Sequence, residues 1–480
     1  MTPVVPSSVP PDRQRKHRAR DAGSSRRASV VYRRVAATVR AWSPEWRDSL
    51  LYSTSAVFAA VTAIAAGIPL YRQWGQMAVG PYAAAAVFMA VVAWRAGKRP
   101  KAEPGLEVHR RRWNVARIGA CIVVLGGATV VPLTMEVVWR AQGDAAAHVQ
   151  PEVLVVERAG VLADRGKDPY QVIDRNGHIL IHQNKEPVYE LYYPYLPGMV
   201  LFGFSRGSKV EARLTDARIQ FLIFTVIISL IALSRLRPAT DARVRAFQVL
   251  TVLPTAALPL ATGGDDMPVV ALMLLGMVAL QRRRPVIAGL ALGAASSLKF
   301  TAWPLAILAV WVALDRRMRR AVGRYVLGLL VVAGPVVLPV AYRNPSAFVD
   351  NVIRFPLGLA GVSSPAASPL PGHLFVTAFP GAHRAYVLVL VVGGLVLLVR
   401  RLIRKPPVDT AGVARLAGWV MLFGIVFAPA TRVGYLLYPV NLFVWAWMLG
   451  RADDPAMVTD GTGVHEPEVG TDWMEPQPAL

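Results

Sequence analysis

Long apolar blocks recur along this chain, and they limit what it can fold into more than any other feature. They lie near 50–70, 77–94, 118–139, 217–234, 246–262, 267–281, 285–299, 301–315, 321–341, 384–400, 412–429 and 433–450. Several approach the roughly 20 residues that a helix needs to cross about 30 Å of hydrocarbon. A segment of this kind satisfies its backbone internally only as a helix. Composition agrees: 17% of the residues are charged and 54% are hydrophobic, whereas soluble domains carry about 25% charged residues. The expected fold is therefore an all-α polytopic membrane protein of about twelve transmembrane helices.

The chain holds 53 Lys and Arg against 30 Asp and Glu, a net charge of +23. Such an excess raises nucleic acid as a partner. Its distribution argues otherwise, because the basic residues sit between apolar blocks, where the positive-inside rule places them. Clusters at Arg110 to Arg112, Arg235 to Arg245, Arg282 to Arg284, Arg316 to Arg324 and Arg400 to Lys405 fall on alternate links. With the N-terminus inside, every one of these links is cytoplasmic. The expectation is a multi-pass plasma-membrane protein with both termini cytoplasmic, membrane lipids as partners and no nucleic acid.

Residues 1–48 carry eleven Lys and Arg against four acids and read as a disordered basic cytoplasmic tail. That stretch is too long for the n-region of a signal peptide. Residues 49–117 hold two extra N-terminal helices and a basic cytoplasmic loop. Residues 118–450 form the main transmembrane domain, with outer loops at 140–216 and 342–383. Residues 451–480, with seven acids and one Arg, read as a disordered acidic cytoplasmic tail. The lone cysteine, Cys121, excludes an intramolecular disulfide and reads as buried packing.

Loop 140–216 differs from the basic links. It has nine Lys and Arg against ten acids, and it is rich in aromatic residues. A helical pattern covers 151–165, and 194–204 is apolar but too short to span, so a half-helix or re-entrant piece is expected there. Ionisable residues near a membrane are functional candidates by default. Asp144, Glu152, Glu157, Asp265, Asp266, Lys299, Arg343, Arg354, His373 and Arg432 all map to the non-cytoplasmic face. Acids and bases that share a cavity there suit a polar substrate carried on a lipid phosphate. Asp265–Asp266 would bind sugar hydroxyls or a divalent cation, or simply start a helix. His148 and Glu152 stand four apart without a third ligand, so no metal is expected. Neither a P-loop nor a Rossmann glycine fingerprint occurs, and no cofactor is expected.

Three stretches carry a resemblance. The first runs from Pro151-Glu152-Val153 to Arg158-Ala159-Gly160, then through Gly166-Lys167-Asp168-Pro169-Tyr170 to Tyr192-Tyr193-Pro194-Tyr195-Leu196-Pro197. The second is Gly289 to Gly293 followed by Ser297-Leu298-Lys299-Phe300-Thr301-Ala302-Trp303-Pro304. The third is Thr431-Arg432-Val433-Gly434-Tyr435-Leu436-Leu437-Tyr438-Pro439. Together they resemble the GT-C superfamily of membrane glycosyltransferases, and most nearly glycosyltransferase family 87, which includes actinobacterial mannosyltransferases that use polyprenol-phosphate mannose. The likeness covers roughly 118–450.

The resemblance implies transfer of a sugar, mannose by the family likeness, from a polyprenyl-phosphate donor to a lipid or cell-wall glycan acceptor on the extracytoplasmic face. It implies a general base in the first outer loop. The family's Asp falls on Glu152, and its usual aromatic four residues later is Val156 here. Asp144, nearer the helix end, is the alternative base. Glu157 is expected to pair with Arg158 or another loop base. A leaving phosphate needs positive charge, for which Lys299 and Arg432 come first and Arg354 and His373 next. Lys299 reads equally well as a snorkelling cation, and Tyr435 and Tyr438 as belt aromatics or sugar-stacking rings. Two other functions fit the bundle: a transporter or flippase of lipid-linked sugars, and a non-enzymatic protein of envelope assembly.

Overall fold

The structure is a computed structural model. It describes residues 42–97, 106–143, 147–170, 188–208, 210–236, 240–313, 319–362 and 364–452. Asp144 and most of both tails lie outside the described residues. All regular structure among the described residues is helical, apart from one isolated bridge between Ala367 and Thr431. The chain divides into two compact units, Met1–Pro132 and Leu133–Leu480.

The first unit contains α1 (Pro44–Ala65), α2 (Pro69–Gly97) and α3 (Leu106–Leu125). Ser43 caps α1 by accepting a hydrogen bond from the Trp46 amide, with Pro44 at the first helical position. The apolar blocks 50–70 and 77–94 placed the first link at 71–76. The break falls earlier, at Ala66 to Ile68, and Pro69 begins α2. Apolarity runs straight through this turn, so only Gly67 and Pro69 mark it. Trp74 is fully buried, and its Nε1 donates to the Ala128 carbonyl at 2.8 Å. Arg117, assigned by sequence to the basic loop, is instead buried and bonded to Asp48 at 2.5 Å. Cys121 is buried, with Sγ 3.3 Å from the Tyr52 hydroxyl.

The second unit begins within α4 (Val131–Gln142). Its loop 140–216 contains α5 (Pro151–Asp164), as the pattern predicted. The short apolar piece becomes two 3-10 turns, Pro197–Phe202 and Phe204–Gly207. There follow α6 (Ala217–Ser234), α7 (Thr240–Phe247), α8 (Pro254–Thr262), α9 (Asp266–Gln281), α10 (Pro285–Leu298) and α11 (Trp303–Leu308). The last long helices are α12 (Arg319–Arg343), α13 (His383–Arg404), α14 (Thr410–Phe427) and α15 (Leu437–Ala452).

Nine helical stretches among the described residues are long and apolar enough to cross a membrane. Three further apolar helices, Asp266–Gln281, Pro285–Leu298 and Phe300–Val312, are shorter. They occupy the places where the sequence put its remaining crossings, so length and composition by themselves support nine of the twelve expected spans among the described residues.

The basic links gather at one end of the second unit. Arg282 donates to the Arg235 carbonyl. Gln281 donates from Nε2 to the Leu449 carbonyl at 3.4 Å and accepts from the Thr410 hydroxyl. Because α9 runs from Asp266 to Gln281, Asp265 and Asp266 stand at the other end. Glycine permits the closest packing in the unit. A Cβ on Gly289 of α10 would lie 2.1 Å from the Tyr325 carbonyl oxygen of α12, and one on Gly328 of α12 would lie 2.6 Å from that of Val286. These helices touch backbone to backbone, the arrangement that small residues allow within a bilayer.

Candidate active site

Loop 140–216 is fastened by a buried network of two arginines and two acids. Arg140, in the last turn of α4, donates to both oxygens of Glu157 at 2.9 and 2.7 Å and to Asp216 Oδ2 at 2.6 Å. Arg218 grips Asp216 from Nε and Nη2, both at 2.9 Å, and reaches the His148 carbonyl at 2.9 Å. Asp216 also caps α6 by accepting from the Arg218 amide. Burial pushes the Asp216 carboxyl up, but hydrogen bonds and charge from Arg218 and then Arg140 outweigh it and hold it at about 2. Glu157 therefore does not pair with Arg158. It takes Arg140, with Arg206 at 3.3 Å, while Arg158 donates to the Glu190 carbonyl. Sequence reasoning missed this network because it is joined through Arg140, whose partners Glu157 and Asp216 lie 17 and 76 residues away.

This network seats α5, whose buried face includes Val153, Val156, Ala159 and Gly160. A Cβ on Gly160 would fall 2.1 Å from the backbone carbon of Gly203, so α5 crosses the 197–207 turns with no room for a side chain. Its start is tied to the end of α8: the Gln150 amide donates to the Thr262 carbonyl at 3.0 Å, and Gln150 Nε2 to the Thr262 hydroxyl at 2.9 Å. The chain then turns through Gly264, at φ +89°, into Asp265 and Asp266. That positive φ suits glycine.

Glu152, in the first turn of α5, pairs with Arg432. The contact engages one carboxylate oxygen, and Oε2 is buried with no hydrogen-bond partner. The side chains are 19% and 28% exposed, so the pair is open on one side. Arg432 is placed by its neighbour. Thr431 exchanges backbone hydrogen bonds with Ala366 and Ser368 at 2.7 and 2.9 Å, and its hydroxyl donates to the Ile425 carbonyl at 2.8 Å.

Beside this pair lies a second cluster. Lys299 Nζ donates to Asp265 at 2.8 Å and to Asp266 at 2.5 Å. The Tyr438 hydroxyl donates to Asp266 at 2.6 Å and accepts from the Thr301 hydroxyl at 2.7 Å. The ammonium lies 5.2 Å from the Tyr195 ring centre and 5.7 Å from that of Tyr435, within cation–π range. Lys299 is thus a buried, doubly paired cation and does not snorkel. Tyr438 is fully buried and hydrogen-bonded, which excludes a belt role. Tyr435 links the two clusters, three residues beyond Arg432 and against Lys299.

Tyr195 reaches Lys299 because the two turns of its motif dock together. Gly166 takes φ +68°, Asp168 Oδ1 accepts from the Tyr170 amide at 2.9 Å, and the Tyr170 hydroxyl donates to the Tyr195 carbonyl at 2.6 Å. Burial, and then the charge of Asp265, push the Tyr195 hydroxyl well above its ordinary value. It stays a neutral donor.

The remaining expected residues lie elsewhere. Arg354 pairs with Asp350 at 2.6 Å, one turn back, and is largely exposed. His373 Nδ1 meets the Pro429 carbonyl at 3.0 Å, against the loop that leads to Arg432. His148 pairs with Glu136 at 2.9 Å and not with Glu152. Among the described residues no three His, Cys, Asp or Glu side chains are grouped as metal ligands. The charge of Asp265 and Asp266 faces Lys299.

The five central side chains comprise three carboxylates and two cations. Each cation is already covered by an acid. An entering anion would compete with a carboxylate at either cation, and Arg432 is the more accessible, since it meets one oxygen of a partly exposed partner.

The family model for glycosyltransferase family 87 matches residues 212–429. No curated protein and no solved structure matches the chain. The matched stretch contains Asp265, Asp266, Lys299, Arg354 and His373. It is shorter than the 118–450 expected, and it leaves out Glu152, Arg432 and Tyr435. The resemblance read from the sequence is nevertheless borne out at the level of the family. Residues 212–429 thus match the glycosyltransferase family 87 model, and among the described residues they belong to an all-helical chain with several helices long and apolar enough to cross a membrane.

Proposed function

We propose that the chain transfers mannose from a polyprenyl-phosphate donor to a lipid or cell-wall glycan acceptor on the extracytoplasmic face. The observation that carries this reading is the contact between Glu152 and Arg432, which brings a carboxylate of loop 140–216 against a cation of the last outer turn. A base and a phosphate-binding group must sit within a few ångströms of one anomeric carbon for such a transfer.

In the proposed reaction the donor phosphate takes the Arg432 guanidinium and frees the Glu152 carboxylate. Glu152 accepts the proton of the acceptor hydroxyl as that oxygen bonds to the anomeric carbon. The bond from that carbon to the phosphate oxygen breaks, and its electron pair leaves on polyprenyl phosphate, stabilised by Arg432. Lys299, already neutralised by Asp265 and Asp266, holds those carboxylates and the rings of Tyr195 and Tyr435 as a wall for the sugar. The family match supports the reaction class and leaves donor, sugar and face to this reading.

The test is transfer by purified protein in lipid nanodiscs from radiolabelled polyprenyl-phosphate mannose, with no nucleotide sugar present. Labelled product is expected from the wild type and not from Glu152→Gln. Transfer from a nucleotide sugar alone would overturn the donor assignment.

A further inference from the structure

On the surface of the second unit, α14 and α15 lie side by side, and a groove between them is walled by Arg415, Trp419, Phe443, Ala446 and Trp447. Both helices belong to apolar spans. Trp419 is 60% exposed and meets Phe443 edge to face at 5.2 Å. Arg415 is exposed, and among the described residues it makes neither a hydrogen bond nor an ion pair. It stands five residues into α14, about 8 Å along the helix axis, at the end marked by the basic run Arg400 to Lys405.

A guanidinium at that depth in an apolar span cannot remain unsolvated in hydrocarbon. Among the described residues none supplies a counter-charge for it, which leaves the bilayer as the source. Arg415 offers a planar fork matched to phosphate oxygens. The rings of Trp419, Phe443 and Trp447 beside it line an apolar trough. Charge and shape together fit one class of molecule. We propose that this groove binds an anionic glycerophospholipid, with its phosphate on Arg415 and one acyl chain along Trp419 and Phe443. The acidic segment that follows α15 is the other source of negative charge, but its carboxylates do not suit a trough of aromatic rings within an apolar span.

Brominated lipids test this by quenching tryptophan fluorescence. The full chain is reconstituted in phosphatidylcholine nanodiscs that contain either brominated phosphatidylglycerol or brominated phosphatidylcholine at equal mole fraction. The difference between wild type and Trp419→Phe isolates the Trp419 signal. Brominated phosphatidylglycerol is expected to quench that signal about fivefold more effectively, as one basic residue at an anionic surface allows. Arg415→Gln should remove the preference, and truncation after Ala452 should leave it unchanged. Equal quenching by the two lipids in the wild type would overturn the proposal. So would a preference that survives Arg415→Gln, or one that emerges only after truncation, which would assign the groove to the acidic segment.

Discussion

Glu152 and Arg432, 280 residues apart in the chain, form an ion pair through a single carboxylate oxygen. The second oxygen is buried without a partner. Each residue thus keeps unused hydrogen-bonding capacity, and under the proposed function the pair is a resting arrangement from which either member turns to a substrate.

Glu152→Gln preserves shape and removes the proton acceptor. Transfer should fall by about 10²–10⁴-fold, the usual worth of a general base, while the protein accumulates in membranes at the wild-type level. Full activity in this variant would remove Glu152 as the base.

Arg432→Lys keeps the charge but loses the planar fork. A raised KM for the polyprenyl-phosphate donor is expected, with a smaller change in kcat. Arg432→Ala should lose on the order of 10²–10³ in kcat/KM through loss of countercharge at the leaving phosphate. Steady-state kinetics that vary donor and acceptor separately distinguish this from general misfolding.

Lys299→Ala leaves Asp265 and Asp266 buried together without a cation. Removing one partner of a buried pair costs about 3–5 kcal/mol, so thermal unfolding of the detergent-solubilised protein should shift sharply downward. Lys299→Met combined with Asp265→Asn and Asp266→Asn should regain much of that stability while sugar transfer stays impaired. A wild-type melting temperature in Lys299→Ala would show that the ammonium is not the cluster's keystone.

Asp216 is held at about 2 by Arg218 and Arg140, against an ordinary value of 3.8. The folded value is lowered, so its contribution is complete above pH 3.8 and disappears as pH falls through about 2. The stabilisation amounts to about 2 kcal/mol at neutral pH. Asp216→Asn should lower stability at pH 7 and flatten the acid limb of a stability–pH curve between 4 and 2. Parallel curves for variant and wild type would count against this linkage.

Gly160→Ala places a methyl group where the Gly203 backbone already lies. Neither segment is the tip of a flexible side chain, so α5 must tilt away from the 197–207 turns. Glu152 rides on α5, and a loss of transfer without any change to an ionisable residue is expected. Normal activity in Gly160→Ala would show that α5 tolerates displacement.

The helical membrane fold was legible because lipid demands apolar segments of fixed length and internally satisfied backbone, and both are written in local composition. The helix at 151–164 was legible through its periodicity. The first turn, at Ala66 to Ile68, was not, because apolarity continues through it and only Gly67 and Pro69 interrupt the pattern. The three apolar helices from Asp266 to Val312 are shorter than the sequence blocks suggested, because composition records hydrophobicity more faithfully than where a helix ends. Residue types and their sidedness marked Glu152, Lys299, Arg432 and the Asp265–Asp266 pair as candidates. Only the tertiary structure decided which acid meets which cation: Arg432 on Glu152, Lys299 on both aspartates, and Arg140 rather than Arg158 on Glu157. Those pairings close loops of up to 280 residues, and over such distances no local pattern constrains the partner. Packing does, because a buried charge takes whichever opposite charge the fold brings within reach.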